Sequence, residues 1–556
     1  MMQMTGAQIL IQALLDQGVE VIFGYPGGAV LNIYDALYER RNELCHIVTS
    51  HEQGAAHAAD GYARSTAKTG VVLATSGPGA TNLVTGIATA FHDSVPLVAI
   101  TGNVPTDLIG RDSFQEVDIA GITNPITKHN YIVKDVNNLA DTVREAFVIA
   151  NSGRKGPVLI DIPKDVTAAK TEYTPKPMFV PRKNLFPPEN DLSRALSAIE
   201  QAERPLIYAG GGVVFSDASK LLSVFSKKIC APVCVSMMGI SSVPYNDMFY
   251  LGMIGMHGTS TANIAARDCD LLIAVGSRFS DRVAGNRHKF ASNAKVLHID
   301  IDPSEISKNV NARLSLIGDA PQILKELTER CEQKTNSEWI HKLLQHKALN
   351  TLPCVYDEQG LNPREVITKL QTVVGEDALI VTDVGQHQML TAQYYPFTKP
   401  RSFISSCGLG TMGYGLGAAI GAKVGNPNRP VVLITGDGSF HMNMNELAVA
   451  VSNQIPVVIL VMNNGVLGMV HQWQRLFYQE RYAYTEIHRA TDFVKLAEAF
   501  GAVGMRLKER SDIEQTLKAA LECKKPCVVD CSIDIKERVY PIIPPGGTEQ
   551  DMIFSD

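Results

Sequence analysis

The sequence has little net charge and no long apolar run. Its 57 acidic and 51 basic residues leave a formal net charge of −6 on 556 residues, so the charge balance does not indicate nucleic acid or an anionic membrane as a partner. No apolar run reaches the ~20 residues that a membrane-spanning helix needs. Residues 1–12 lead directly into a helical pattern, without a basic presequence or a secretory apolar segment. We therefore expect a cytoplasmic protein with no membrane partner.

Cysteine is sparse as well. The 10 cysteines are scattered along the chain, which favours reduced thiols over a disulfide framework. Cys523, Cys527 and Cys531 recur every four residues and suggest a metal site. However, residues 526–531 have the pattern of a buried strand, and the spacing is not the Cys-x₂-Cys of zinc sites. We interpret these cysteines as core residues.

The composition is that of a large globular protein. Hydrophobic residues make up 45% of the chain and charged residues 19%. At ~150 residues per domain, the length predicts about three domains. Strand-like and helical segments alternate, which is typical of α/β domains with parallel sheets. We predict an α/β protein with three doubly wound parallel-sheet domains, over residues 1–180, 190–345 and 360–556.

One segment of the third domain joins two predicted strands that both end in polar residues. The apolar run 431–434 ends in the Thr-Gly-Asp-Gly-Ser sequence 435–439, and a helical pattern then covers residues 443–452. A second apolar run, 456–462, ends in Asn463-Asn464. The spacing is about that of one β-turn-helix-β unit. Both polar breaks therefore fall at the carboxyl ends of neighbouring parallel strands, where open α/β sheets bind ligands.

The residue types at these two breaks suit a metal ion and a phosphate. Asp437 and Asn464 supply oxygen ligands of the kind that Mg²⁺ prefers. Gly438 and Ser439 can present backbone N–H groups to an anion at the start of a helix. The alternative is an Asp-Gly turn between two strands, with no ligand.

Polar or glycine-rich breaks also follow three predicted strands of the first domain, at residues 24–28, 50–56 and 76–82. These breaks predict a ligand-facing rim. Glu52 opens a helix rich in alanine, where a carboxylate is either a surface group matched to the helix dipole or a buried acid. A zinc-protease motif is excluded, because His-Glu-x-x-His would need a histidine at position 55, which is alanine.

Two further segments suggest nucleotide binding. In the middle domain a predicted strand ends in Gly210-Gly211-Gly212, although that domain has no Gly-x-Gly-x-x-Gly. In the third domain residues 408–413 fit that fingerprint, and Asp437 follows as an acid. A nicotinamide enzyme is therefore a competing hypothesis. It leaves Asn463-Asn464 and Glu52 without a role.

Longer motifs match one family from end to end. They are HEQGAAHAADGYAR from His51, TSGPGATN from Thr75, GPVLIDIPKDV from Gly156, GMHGT from Gly255, SRFSDRVAG from Ser277, GLGTMGYGLGAAIGA from Gly408, GDGSF from Gly436 and NNGVLGMVHQW from Asn463. With these motifs the chain resembles the catalytic (large) subunits of acetohydroxyacid (acetolactate) synthase, within the superfamily of enzymes that use thiamin diphosphate (ThDP). The resemblance implies aminopyrimidine-binding, central FAD-type and diphosphate-binding domains, in that order.

The resemblance also implies an activity. Such a transferase decarboxylates pyruvate on ThDP and transfers the hydroxyethyl carbanion to a second 2-ketoacid. Pyruvate gives 2-acetolactate and 2-ketobutyrate gives 2-aceto-2-hydroxybutyrate, in the first common step of valine, leucine and isoleucine biosynthesis. The alternatives are an FAD-independent catabolic acetolactate synthase, another ThDP enzyme such as a pyruvate oxidase or glyoxylate carboligase, and a non-catalytic partner subunit. Glu52 argues against glyoxylate carboligase, and Arg282 with Trp473 argues against a simple decarboxylase.

The resemblance assigns roles to individual residues. Glu52 would bond N1′ of the aminopyrimidine, Met412 would hold the cofactor bent, and Arg282 would bind the acceptor carboxylate. The implied catalytic and acceptor-pocket residues are Glu52, Phe114, Gln115, Met256, Arg282 and Trp473. The implied ThDP contacts are Pro26, Gly27, Glu52, Gly385, Gln386, His387, Gly410, Met412, Gly436, Gly438, Ser439 and Met469. The implied Mg²⁺ ligands are Asp437, Asn464 and the backbone carbonyl of Val466.

Biosynthetic members of the family carry a structural FAD. The residues at matching positions are Arg154, Gly211, Gly212, Met256, His257, Gly276, Arg278, Asp281, Asp300 and Asp319. The resemblance further implies a homodimer or homotetramer, with Glu52 and Asp437 of each site on different subunits, and a possible small regulatory subunit. Three positions depart from the family pattern: Ser280 replaces an Asp, Gly417 a Pro and Cys407 a Gly. Ser280 leaves the flavin affinity open.

Overall fold

The computed structural model describes residues 2–176, 185–335, 337–350, 360–487 and 489–555. It contains three six-stranded sheets whose paired strands are all parallel, and a two-stranded antiparallel sheet. Helices connect most of the consecutive strands, so the prediction of three α/β domains is confirmed. The predicted domain boundary at residue 180 lies outside the described residues. In the described parts of the chain, no helix is both long and apolar enough to cross a membrane.

The first sheet has the strand order β3-β2-β4-β5-β7-β6. The chain starts at β2, adds β3 on one side and then returns to β4 on the other. The separate pair β1–β8 joins the two ends of this region in antiparallel fashion. The strands are β1 (Met2–Thr5), β2 (Val21–Gly24), β3 (Cys45–Val48), β4 (Gly70–Ala74), β5 (Leu97–Asn103), β6 (His129–Ile132), β7 (Pro157–Pro163) and β8 (Lys170–Tyr173). The helices are α1 (Gly6–Asp16), α2 (Leu31–Glu39), α3 (Glu52–Thr66), α4 (Pro78–Asn82), α5 (Val84–Asp93), α6 (Ile119–Thr123), α7 (Val136–Asn151) and α8 (Lys164–Ala168).

The second sheet has a different order, β11-β10-β9-β12-β13-β14. Counted within the sheet this is 3-2-1-4-5-6, the arrangement of dinucleotide-binding folds. The strands are β9 (Pro205–Ala209), β10 (Val233–Val235), β11 (Tyr250–Met253), β12 (Leu271–Val275), β13 (Lys295–Asp300) and β14 (Leu314–Ile317). The helices are α9 (Glu189–Gln201), α10 (Gly211–Phe215), α11 (Ser219–Lys228), α12 (Ser260–Asp268), α13 (Asp281–Ala284), α14 (Ala320–Arg330) and α15 (Ser337–Leu349).

The third sheet repeats the topology of the first, in the order β16-β15-β17-β18-β20-β19. Its chain starts at β15, adds β16 on one side and returns to β17 on the other. The strands are β15 (Leu379–Thr382), β16 (Phe403–Ser405), β17 (Val431–Gly436), β18 (Val458–Asn463), β19 (Val503–Leu507) and β20 (Cys527–Ser532). The helices are α16 (Pro363–Val374), α17 (Gln386–Tyr394), α18 (Gly415–Gly425), α19 (Asp437–Asn443), α20 (Leu447–Ser452), α21 (Gly468–Phe477), α22 (Phe493–Phe500) and α23 (Ile513–Glu522).

The first and third domains pack together through α3 and α18. Both helices carry small residues at the crossing, so their backbones come into direct contact. A Cβ added at Gly421 would lie 1.8 Å from the carbonyl oxygen of Ala58, and one at Gly61 would lie 2.2 Å from that of Ala418. One continuous apolar core joins the two domains here and includes Ala55, Ala58 and Ala418 among its buried members. The glycines therefore fix how closely the two domains approach.

Candidate cofactor and acceptor sites

The third domain forms a crevice where its strand order reverses, between the carboxyl ends of β15 and β17. Open α/β sheets bind their ligands at such a switch point. Residues 383–387 follow β15, and the Gly-Asp-Gly-Ser sequence 436–439 follows β17. The predicted helical stretch 443–452 is present as a 3₁₀ turn over Met444–Glu446 followed by α20, but the predicted break before it is partly helical, because α19 begins at Asp437. Its first-turn carboxylate suits the positive end of the helix dipole.

Asp437 and Asn464 meet at this crevice, as the spacing of the two polar breaks predicts. Asp437 is buried, and burial raises the pKa of its carboxyl group to about 6, although the backbone N–H groups of Asp437, Gly438 and Asn464 oppose the shift. The side-chain oxygen of Asn464 accepts the backbone N–H of Val466 at 3.2 Å. The three predicted Mg²⁺ ligands therefore lie in one cluster. In the described part of the chain, no group of three or more His, Cys, Asp or Glu side chains could hold a metal ion.

The imidazole of His387 packs against two glycines of this crevice. A Cβ at Gly385 would lie 2.8 Å from the imidazole, and one at Gly436 would lie 3.0 Å from it. The Nε2 atom of His387 is buried and has no hydrogen-bond partner among the described residues. Burial lowers the pKa of His387 to about 3, so the ring is neutral at pH 7. This unpartnered buried nitrogen, beside the Gly-Asp-Gly turn, fits a place for a polar group of a bound ligand.

Gln386 links this crevice to the C-terminal segment. Its Oε1 lies 3.4 Å from Nδ2 of Asn464, and its Nε2 donates to the carbonyl of Glu537 at 3.0 Å. Gln472, the neighbour of Trp473 in α21, bonds both the N–H and the carbonyl of Val539. Met469 lies in the first turn of the same helix, α21.

The loop between β16 and α18 carries Gly410 and Met412. Its Gly413 N–H donates at 2.7 Å to the buried Asp383, whose pKa burial raises to about 6. The Met412 methyl group lies 3.9 Å from the position of a Cβ on Gly438, so the side chain extends over the Gly-Asp-Gly turn. This loop follows the edge strand β16, whereas a dinucleotide fingerprint belongs to the strand beside the switch point. The sequence motifs assign no role to Asp383.

The first domain has its own switch point, between β2 and β4. Pro26 and Gly27 follow β2, and Gly27 faces the side chain of Thr75, the residue after β4, so closely that a Cβ would lie 2.5 Å from it. Glu52, the first residue of α3, lies at the same edge of the sheet and is only 9% exposed. Glu52 is therefore a buried acid and not a surface group.

Two partners of this edge were missed by sequence reasoning. Asn82 donates from Nδ2 to Oε2 of Glu52 at 2.9 Å. Glu446 comes from the third domain, is fully buried, and accepts the backbone N–H of Ser50 at 3.2 Å. Burial raises the pKa of Glu446 to about 7, and the nearby Glu52 raises it further. Asn82 is the last residue of the TSGPGATN motif, so that motif pointed to it as a site residue. Glu446 lies in none of the sequence motifs.

Arg282 and Met256 line a cavity beside the C-terminal segment, and Trp473 lies next to Arg282. The Arg282 guanidinium lies 5.8 Å from the centre of the Trp473 ring, and the Met256 N–H donates to the Arg282 carbonyl at 2.8 Å. The cavity has a volume of about 110 Å³, and residues 543–549 of the C-terminal segment line one side. The structure therefore brings together three of the predicted acceptor-pocket residues.

Phe114 and Gln115 lie in a loop of the first domain, away from that cavity. Phe114 is 88% exposed and so contacts little of its own chain. Gln115 has a φ of 58° and packs on Gly77, where a Cβ would lie 2.9 Å from it. Their part in an acceptor pocket stays a prediction.

The central domain has its crevice between β9 and β12, where Gly212 and Gly276 approach each other. A Cβ on Gly212 would lie 2.7 Å from the Cα of Gly276, so this contact requires glycine. The hydroxyl of Ser277 is buried beside them and has no hydrogen-bond partner in the part of the chain that the structure describes. Asp300 ends β13. The other predicted residues of this group are Gly211 in α10, His257 after β11, Arg278 after β12, Asp281 in α13 and Asp319 before α14.

Arg154 reaches this central domain from the first domain. It donates to Glu305 at 2.8 Å, lies 3.4 Å from Asp302, and bonds the hydroxyl of Ser94 from its Nε. Its guanidinium is therefore engaged by carboxylates near the end of β13. Of the three cysteines interpreted as core residues, Cys527 and Cys531 are buried thiols of β20, whereas Cys523 is partly buried and packs against the core.

Comparisons with known proteins agree with this architecture. Models of thiamine pyrophosphate (ThDP) enzymes match an N-terminal TPP binding domain at residues 4–122, a central domain at 192–327 and a C-terminal TPP binding domain at 383–531. A probable acetolactate synthase large subunit of Methanocaldococcus jannaschii is 46% identical, over 98% of this chain and 94% of its own length. The large subunit of Haemophilus influenzae is 44% identical, over 100% of this chain and 99% of its own. That of Parasynechococcus marenigrum is 46% identical, over 99% and 91%. With identity of this level along the whole chain, the protein belongs to the acetolactate synthase large-subunit family of thiamine pyrophosphate enzymes.

Proposed function

We propose that this chain is the catalytic subunit of an acetolactate synthase in branched-chain amino acid biosynthesis. It decarboxylates pyruvate and joins the remaining two-carbon unit to a second 2-ketoacid, either pyruvate or 2-ketobutyrate. The observation that carries this proposal is the full-length identity of 44–46% to acetolactate synthase large subunits. Both crevices expected of a ThDP enzyme accompany it, one at Glu52 and one at Asp437.

ThDP, when bound, supplies a carbon nucleophile and the electron sink for decarboxylation. Glu52 would hold the proton at N1′ of its aminopyrimidine, and the bond from Asn82 orients the carboxylate for that task. The Gly410 carbonyl would accept the 4′-amino group, and the Met412 side chain would support the cofactor. These groups are in place before substrate arrives, so no reorganisation is needed at the moment of reaction.

The diphosphate end is held by Mg²⁺ and by the crevice of the third domain. Asp437, the Asn464 side chain and the Val466 carbonyl would be the protein ligands of Mg²⁺, which prefers oxygen ligands of this kind together with phosphate oxygens. The N–H groups of Gly438 and Ser439, beside Gly436 and His387, would receive the phosphates. Gln386 and Met469 complete the lining.

Acceptor recognition lies at Arg282. Its planar guanidinium suits bidentate binding of a 2-ketoacid carboxylate. The Trp473 ring beside it favours the extra methyl group of 2-ketobutyrate, a contribution of ~1–3 kcal/mol at most for one methylene. Met256 lines the same pocket. Phe114 and Gln115 reach it from a second subunit, which is consistent with the exposure of Phe114 in the single chain.

We further propose that the central domain binds FAD in a structural role. The strand order 3-2-1-4-5-6 supports a dinucleotide, as do the glycine contact at Gly212 and Gly276 and the unpartnered Ser277 hydroxyl. Arg154 and Asp300 stand at its edges. The minimum active unit is a homodimer, and the name "large subunit" of the relatives supports a small regulatory partner.

The test is a product measurement. The purified chain is given pyruvate and 2-ketobutyrate with ThDP and Mg²⁺, with and without FAD. FAD-dependent acetolactate with an excess of 2-aceto-2-hydroxybutyrate supports the proposal. Acetolactate alone, formed equally well without flavin, would identify a catabolic type and overturn the FAD assignment. No CO₂ release from pyruvate with all three cofactors present would contradict catalysis altogether. EDTA treatment should abolish turnover, and Mg²⁺ should restore it.

A further inference from the structure

A buried cluster of charges joins the first domain to the loop that carries Gly410 and Met412. Its members are Asp60 and Arg64 in α3 and Asp93 at the end of α5, exposed by 0%, 6% and 1%. Arg64 donates from Nε to Asp60 at 2.6 Å and from Nη2 to Asp93 at 2.9 Å. Two carboxylates thus share one guanidinium in the interior, where charges are costly unless every one of them is paired.

The second carboxylate is satisfied by the loop itself. The two oxygens of Asp93 accept the backbone N–H groups of Cys407 at 2.9 Å and Gly408 at 2.7 Å. Arg64 also donates from Nη1 to the carbonyl of Ser405 at 2.9 Å. Arg64 balances only one of the two carboxylate charges. The remaining negative charge is stabilised by the backbone N–H groups at the start of the loop, and such charge-assisted hydrogen bonds are stronger than neutral ones.

The far end of the loop is held by the same cluster. The Tyr414 hydroxyl donates to Asp60 at 2.6 Å, and the Tyr414 side chain is fully buried. Between the two ends, the hydroxyls of Thr411 and Thr89 lie 2.8 Å apart. Groups of the first domain thus contact the loop at its beginning, middle and end, although the loop belongs to the third domain.

The loop needs such support because its sequence is flexible. Residues 408–413 contain three glycines, and Gly410 and Gly413 adopt φ values of 69° and 85°. Glycine loses more conformational freedom on ordering than any other residue. A loop that is ordered before it meets a ligand does not pay this cost on binding.

We propose that Asp60, Arg64 and Asp93 form a positioning device for the cofactor-binding loop 407–414. The cluster holds the loop in its binding shape from the first domain, so that the Gly410 carbonyl and the Met412 side chain are preorganised for the cofactor. This inference rests on the proposed function, which gives Gly410 and Met412 their contacts with ThDP. The three charged residues act through the loop and touch no reacting atom.

The test is Asp93→Asn, studied first without cofactor. Asparagine keeps the shape, but its amide nitrogen would face a backbone N–H donor at Cys407 or Gly408, so one of these bonds is lost. Hydrogen exchange, followed by mass spectrometry, should be about tenfold faster or more in peptides covering residues 403–414. The dissociation constant of ThDP, titrated calorimetrically in Mg²⁺ buffer, should rise about tenfold. The kcat at saturating ThDP should fall much less than that, because the loop is restored once the cofactor is bound.

Asp161→Asn is the matched control, because Asp161 is a buried carboxylate of the same domain that bonds Thr101 and Asn103 instead of the loop. It should leave exchange at 403–414 as in the wild type. If Asp93→Asn does not fold, Tyr414→Phe replaces it, with an expected effect of about threefold on both quantities.

Wild-type exchange at 403–414 in the folded variant would overturn the proposal, even if the melting temperature fell. Faster exchange with unchanged ThDP affinity would also overturn it, because the loop would then not serve the cofactor. Neither measurement uses turnover. A wild-type chain that made no acetolactate would contradict the proposed function while leaving these two results unaffected.

Discussion

Replacing Glu52 by Gln tests the central chemical assignment. The substitution keeps the size of the side chain and removes its ability to exchange a proton at N1′ of the cofactor. The structure indicates that the site keeps its shape, since a Gln amide oxygen can still accept the bond that Asn82 donates at 2.9 Å. We therefore expect a free energy of unfolding within about 1 kcal/mol of the wild type, as for the loss of one charge in a retained hydrogen bond.

The effect on catalysis should be much larger. A positioned acid–base group contributes about 10²–10⁴-fold to a rate, which corresponds to roughly 3–5 kcal/mol of barrier. The affinity for ThDP should change only a few-fold, because the diphosphate is held at Asp437 and Asn464, in the other crevice. A large fall in kcat at nearly constant ThDP affinity is thus the expected signature.

The assay is CO₂ release from pyruvate at saturating ThDP and Mg²⁺, combined with a calorimetric titration of ThDP. Glu365→Gln is the matched control, since Glu365 is another buried glutamate, in α16 of the third domain, with Lys369 and Arg510 as its ion-pair partners. It should keep wild-type turnover. If Glu52→Gln retained more than about a tenth of wild-type kcat, Glu52 would not be the acid–base group. If it lost ThDP binding instead, its role would be structural.

Three further predictions follow from individual contacts. Trp473→Leu should lower the ratio of 2-aceto-2-hydroxybutyrate to acetolactate by about tenfold without abolishing turnover, as one lost hydrophobic contact implies; an unchanged product ratio would exclude the selectivity role. Gly421→Ala should destabilise the fold by about 1–3 kcal/mol in urea unfolding, because its Cβ would meet the carbonyl of Ala58; Gly28→Ala, where a Cβ meets nothing within 4 Å, is the control and should be near neutral. Burial raises the pKa of Asp161 to about 7, above the value near 4 of an unfolded chain, so the wild type is most stable when this group is protonated. Its free energy of unfolding should therefore fall by up to about 1.4 kcal/mol per pH unit as the pH rises from about 4 to 7. Urea unfolding of Asp161→Asn should lack this contribution, and equal pH slopes for the two proteins would show that Asp161 does not cause the loss.

Much of the fold could be predicted from local pattern. The strands Pro205–Ala209 and Leu271–Val275 have the bounds that their apolar runs predict, because a fully buried parallel strand is a short apolar run bounded by polar residues. The helical stretch predicted over residues 443–452 is present, as a 3₁₀ turn and α20 over residues 444–452. The glycines at 436 and 438 indicate a break before it, because glycine has a low helix propensity, whereas in the structure α19 already begins at Asp437.

The two polar breaks of the third domain show the reach of sequence reasoning about the site. Spacing alone predicts that Asp437 and Asn464 are neighbours, because consecutive parallel strands end at the same edge of a sheet. Spacing does not predict Glu446 beside Ser50, which joins residues almost four hundred positions apart. Nor does it predict the packing of Gly421 on Ala58. Such contacts depend on how two separately folded domains dock.

The sequence by itself determined the family, the three parallel sheets and the strand ends at which ligands bind, because each of these is written in local periodicity and short motifs. Only the tertiary structure decided that Glu52 is buried and bonded by Asn82, and that Asp93 holds the loop before Met412. A carboxylate in the first turn of a helix has the same local signature whether it faces solvent or another domain. Its environment is set by residues distant in the chain, and burial and hydrogen bonding follow from that environment.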